Sequence, residues 1–144
     1  MMAQRAAGLL LSAIILWTAP SSAVGQNAIG FSQAPEMSSG VCVGGSIREA
    51  LDCAKKECIA GGGTKEDCLE TTACFPAGWS LDVFVQHREG LHWHEVHCGF
   101  DSREGALAAA DAVCNRTRRT DLVECSAVRL LDEEGHEHEP PEAH

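Results

Sequence analysis

The sequence predicts an α+β domain: two helix-strand halves around a central β-hairpin, forming a mostly antiparallel sheet with both helices packed on it and disulfides stapling the whole. Three observations carry this prediction. Two segments place apolar residues at helical spacing and are each followed by a short loop and a strand-like run. Between them, two alternating stretches flank a glycine turn. Eight cysteines follow an apolar leader.

The leader is read first, because an export signal is removed before folding matters. Arg5 is the one charge among residues 1–23 and precedes an apolar run from Ala6 to Trp17. That run is too short to span a bilayer core of roughly 30 Å with ease. Pro20 breaks the pattern, and Ser21-Ser22-Ala23 supplies the small residues a signal peptidase requires, so cleavage is expected after Ala23. No later stretch is long and apolar enough to cross a membrane. The expectation is an exported chain, periplasmic or secreted.

In the first half, Ser46 precedes Ile47, Ala50, Leu51, Ala54 and Cys58, which line one helical face. Ser46 with Glu49 makes a capping box. Gly61-Gly62-Gly63 ends the helix. The segment Asp67 to Phe75, with Thr71 and Thr72, then favours a strand. The second half repeats the plan: Asp101 with Glu104 offers the cap, and Ala106, Leu107, Ala110, Val113 and Cys114 line the helical face. Arg116 to Asp121 is a polar loop, and Leu122 to Leu131 a strand. Shifting the first half by 56 residues lays Ser46 on Ser102, Leu51 on Leu107 and Cys58 on Cys114. The shift describes an internal repeat.

Cys42, Cys53, Cys58, Cys68, Cys74, Cys98, Cys114 and Cys125 all follow the leader. An even count in a short exported chain reads as a disulfide framework. No C-x-x-C pair offers a zinc ribbon or knuckle. The repeat pairs Cys58 with Cys68 and Cys114 with Cys125, each tying a helix end to the next strand. Cys42, Cys53, Cys74 and Cys98 then have three connectivities, of which Cys53–Cys74 with Cys42–Cys98 is the expected one.

The hairpin runs from Leu81 to His87 and from Leu91 to His97, about Arg88-Glu89-Gly90. Strand alternation puts His92 and His94 on one face, and an H-x-H pair with a third imidazole can hold zinc or copper. Register decides whether the third joins. A two-residue Glu89-Gly90 turn sets His87 beside His92, and His87, His92 and His94 converge on a metal. A three-residue loop sets His87 opposite Leu91 on the other face. Val83, Val85, Leu91 and Trp93 then share an apolar face, and His92 and His94 face solvent. The second register makes better hydrophobic sense.

The ends read as unstructured: residues 24–40 as a flexible lead, rich in Gly, Ser, Gln and Pro, and residues 132–144 as an acidic, His-rich disordered tail. The folded part is then residues 41–131, a size that is marginal without staples. A net charge of −10 disfavours nucleic acid and anionic lipid as partners.

The pattern Ser-x-x-x-Ala-Leu…Cys, a short loop, Cys and an apolar strand resembles the domain-of-unknown-function family 4189, small exported bacterial proteins with paired cysteines. The resemblance covers Ser46 to Cys68 and Trp79 to Leu131; the hairpin histidines lie outside its pattern. It implies an exported, disulfide-paired α+β protein and no particular chemistry.

Enzymatic motifs are missing: the chain holds no G-x-S-x-G, no H-E-x-x-H and no phosphate-binding glycine loop, and Gly61-Gly62-Gly63 follows a helix rather than a strand. Asp82 and Glu95, on adjacent strands, are candidate paired acids. The functional expectation is a non-catalytic binding or interaction module of the cell envelope, with no cofactor and an unspecified protein or small-molecule partner. The alternative is a zinc- or copper-binding protein using His87, His92 and His94.

Overall fold

The computed structural model describes residues 26–140; the leader expected over residues 1–23 lies outside them. The elements are β1 (Ala28–Ala34), β2 (Ser38–Gly44), α1 (Ile47–Ala60), β3 (Leu69–Cys74), β4 (Trp79–His87), β5 (His92–Phe100), α2 (Arg103–Val113), β6 (Leu122–Leu131) and β7 (Glu137–His138). They form two helices and two antiparallel sheets, ordered β2-β1-β3 and β5-β4-β6-β7. The fold is α+β, with two sheets where the sequence suggests one.

The layers run helix, sheet, sheet, helix. On the outer face of the first sheet α1 sits almost in backbone contact. A Cβ on Gly40 would lie 1.9 Å from the Ala54 carbonyl oxygen, and one on Gly30 would lie 2.7 Å from the Ala50 backbone. The helix answers with small buried residues, Ala50, Ala54 and Cys58. On the far side, Ala106 and Ala110 of α2 pack on Leu81, Val83, Val85 and Leu130. Between the sheets lies a second core of Ile29, Phe31, Ala77 and Leu131, flanked by Val41, Val43 and Val96.

Residues 28–44 therefore form a strand hairpin and not a flexible lead. Their glycines and serines, which resemble linker composition, are the small residues a close helix-sheet contact requires. The tail is likewise built into the sheet as far as the described residues go. The Asp132 carboxylate accepts from the backbone N–H of Glu134 and of His136, at 3.0 and 2.9 Å. This turn returns Glu137–His138 to pair with Leu130 and Leu131. The α2 cap also differs from expectation: Ser102, not Asp101, caps the helix, with its Oγ accepting from the Gly105 N–H at 3.1 Å. At α1, Ser46 accepts from Glu49 N–H at 3.2 Å.

All eight cysteines are bonded: Cys42–Cys53, Cys58–Cys68, Cys74–Cys98 and Cys114–Cys125. The second and fourth pairs tie each helix end to the following strand. The other two correct the expected Cys53–Cys74 and Cys42–Cys98, and strand register explains them. Cys42 pairs across the ladder with Gly30, on the face covered by α1, so it meets the Cys53 thiol on that helix. In the second hairpin Trp79 pairs with Phe100 and Ser80 with Cys98, leaving Gly99 as a bulge with φ of 86°. Cys98, before the bulge, alternates with Val96 and so faces inward between the sheets, where Cys74 of β3 lies.

Candidate functional site

The two sheets diverge at one end and leave a cleft of about 520 Å³. One wall is the β1–β2 turn, with Pro35, Glu36 and Met37; the other is the histidine hairpin with Asp82, Phe84, His92 and His94; and Arg129 of β6 also lines it.

Hairpin register decides which imidazoles reach this cleft. Val85 pairs with Trp93 and Gln86 with His92, while His87 N–H donates to the Leu91 carbonyl at 2.7 Å. The loop is thus the three-residue Arg88-Glu89-Gly90, with Gly90 at φ 94°. His92 and His94 share the inner face with Phe84. His87 is on the other face and does not join them, so the converging His87, His92 and His94 set is not formed. Instead, His87 Nδ1 accepts from the Glu89 backbone N–H at 3.2 Å and the ring lies among the carboxylates of Glu89 and Asp121. His97 is also on the outer face, its Nε2 buried and without a hydrogen-bond partner. Among the described residues no three His, Cys, Asp or Glu side chains are grouped as a metal site.

The two inner imidazoles are not simply solvated. His94 Nδ1 stands 2.8 Å from Asp82 Oδ1. An ionised carboxylate only accepts, so the proton sits on Nδ1 and the Nε2 lone pair stays free. Asp82 itself is 6% exposed, the one buried carboxylate among the described residues. His92 Nε2 lies 3.0 Å from Glu36 Oε1, a charge contact across the cleft. Phe84 stands beside both rings, its centroid 5.6 Å from that of His94 in an edge-on arrangement and 5.8 Å from that of His92.

Glu36 holds a left-handed backbone, φ 60°, that non-glycine residues rarely adopt. This conformation forms the tip of the β1–β2 turn, and the turn carries Met37, 52% exposed, into the cleft beside it. Arg129 pairs across the ladder with Asp82 and donates to Glu137 Oε2 at 3.2 Å.

Asp82 and Glu95 do not form an acid pair. Asp82 pairs with Val96 and faces the cleft, whereas Glu95 pairs with Val83 and faces outward. There Arg119 donates two hydrogen bonds to Glu95, both 2.9 Å. They hold the Glu95 carboxyl below its usual range, against the opposing effect of burial and with help from Trp93 Nε1.

Sequence reasoning finds His92 and His94 and places them on one face. It misses Glu36, Met37 and Arg129. The missed signal is the segment Ala28-Ile29-Gly30-Phe31, apolar and alternating, followed after Ala34 by Pro35-Glu36-Met37 as a turn. Comparison with protein-family models, with curated proteins and with solved structures finds no match. The arrangement brings two imidazoles and a thioether to one cleft beside the Phe84 ring. All eight thiols are consumed in disulfides.

Proposed function

We propose that this chain is an exported, non-catalytic binding module of the bacterial cell envelope and that the inter-sheet cleft is its binding site. The observation that carries the reading is the cleft itself. It is lined by apolar side chains, Phe84, Met37, Ala34 and Pro35, with a few polar groups fixed by pairing, the composition of a small-ligand site. Export is supported by the leader and by four disulfides, which persist in oxidising compartments. No helix among the described residues is long and apolar enough to cross a membrane. The resemblance to family 4189 agrees with an exported, cysteine-paired protein. The shared second-first-third strand order of the two sheets favours reading the halves as duplicated units.

Amide NMR of the leader-free, disulfide-intact protein against a fragment library tests the site. Binders should shift Met37, Phe84 and His94 together, and Phe84→Asp should remove those shifts. Fragments that bind only away from these residues would end the proposal.

A further inference from the structure

We infer that the cleft is a copper(I) site, with His92, His94 Nε2 and the Met37 thioether as ligands and with Asp82 as the positioning residue behind His94. This deepens the reading of the cleft as a binding site and rests on it.

The inference starts from the carboxylates. A metal-bound imidazole nearly always gives its other ring nitrogen to a carboxylate, carbonyl or water, which fixes tautomer and ring direction. His94 is prepared in this way, held by Asp82 at 2.8 Å, and the exposed Glu36 carboxylate lies 3.0 Å from His92 Nε2 as a charge contact. The Asp82 bond leaves the His94 Nε2 lone pair uncommitted. The Asp82 arrangement is hard to explain as surface decoration, because it takes a buried carboxylate and fixes a histidine that remains 44% exposed on its side chain. An exposed imidazole with a buried anchor is oriented toward something outside the protein.

The third donor follows from the turn. Glu36, in its left-handed conformation, brings the tip of the β1–β2 hairpin against His92, and Met37 is the next residue. Met37 is more than half exposed and lines the same cleft as both rings. An exposed methionine gains little from packing there.

The donor set selects the ion. Thioethers are soft ligands that favour copper(I), while imidazole suits both copper and zinc. Zinc takes four ligands in structural sites or three plus water in catalytic ones, drawn from imidazole, thiolate and carboxylate. Here every thiol is oxidised and Asp82 is hydrogen-bonded to His94, so the thioether is what tips the set toward the softer ion. Copper(I) accepts three ligands of this kind.

The test is a titration of the leader-free, disulfide-intact chain with copper(I), held reduced by ascorbate without thiols, against a chromophoric copper(I) chelator. One equivalent should bind with a dissociation constant below about 10⁻⁶ M. Met37→Leu and His92→Gln, both at exposed positions, should each weaken binding at least about tenfold, and Asp82→Asn about 10–100-fold. His87→Gln should change nothing. X-ray absorption of the unsubstituted complex should show two nitrogen scatterers and one sulfur. Binding weaker than micromolar, a copper shell without sulfur, equal loss in His87→Gln, or zinc bound more tightly than copper(I) would each overturn the site. Fragment binding at Met37 and Phe84 that survives such a failure would leave the cleft as a binding site and remove only the metal.

Discussion

At the scale of single residues, Gly40 and His94 show two ways in which one position can be constrained. Gly40 is required for space. Any side chain there meets the Ala54 carbonyl and the Cys58 N–H, so Gly40→Ala must push α1 off the sheet. Such overpacking costs roughly 1–3 kcal/mol, and urea denaturation at neutral pH should show a lowered midpoint of that size. His94 is required for a hydrogen bond to Asp82. Removing it leaves the Asp82 carboxylate buried without its partner, a penalty of about 1–3 kcal/mol. His94→Ala should therefore be destabilising, and adding Asp82→Ala should restore much of the loss; additive effects would mean the two groups do not act as a pair. The face shared by His92 and His94 was legible from strand parity alone. The partners were not, because Glu36 is distant in sequence and its role depends on which sheet folds over which.

At the scale of elements, legibility follows composition. The second helix and its strand, α2 and β6, stand out as alanine-rich periodicity and β-branched residues. The hairpin β4–β5 stands out through alternation about Gly90. The equivalent hairpin β1–β2 does not, because its strands are thinned by the glycines and serines that let α1 approach. β7 is two residues long and takes its place from one carboxylate rather than from any propensity. That carboxylate makes the element's prediction. Burial alone would raise the Asp132 carboxyl, but hydrogen bonds from His138 and from the His136 and Glu134 backbone outweigh it and hold it down at about 2. Because the folded value lies below the unfolded one of about 3.9, the ionised form stabilises the fold. That contribution is complete above about pH 4 and is lost as pH falls toward 2, on the order of 1–2 kcal/mol. Asp132→Asn should be less stable than the natural chain at pH 7 by that amount, and the two should converge by pH 2. A difference that persists unchanged at pH 2 would remove the carboxylate from the explanation.

At the scale of the whole molecule, the two halves are each complete units of hairpin, helix and strand, and each carries its own helix-strand disulfide. Among the features that join them, two stand out: the core of Ile29, Phe31, Ala77 and Leu131 between the sheets, and the Cys74–Cys98 bond, whose partners are 24 residues apart. The cleft lies in the same inter-sheet layer. Its width is therefore set by the features that hold the sheets together, not by either sheet alone. Replacing Cys74 and Cys98 by alanine should cost roughly 3–4 kcal/mol in the chain-entropy account for a loop of this length. The more diagnostic expectation is its distribution. Amide hydrogen exchange should accelerate at Ile29, Phe31 and Leu131, while Val83 and Val85, held under α2 within one half, keep relatively more of their protection. Ligand affinity at the cleft should fall with it, since a widened cleft separates Met37 from His92 and His94. Uniform acceleration across both halves would instead show that the protein opens only as a single unit, with the bond adding stability without setting the spacing of the sheets.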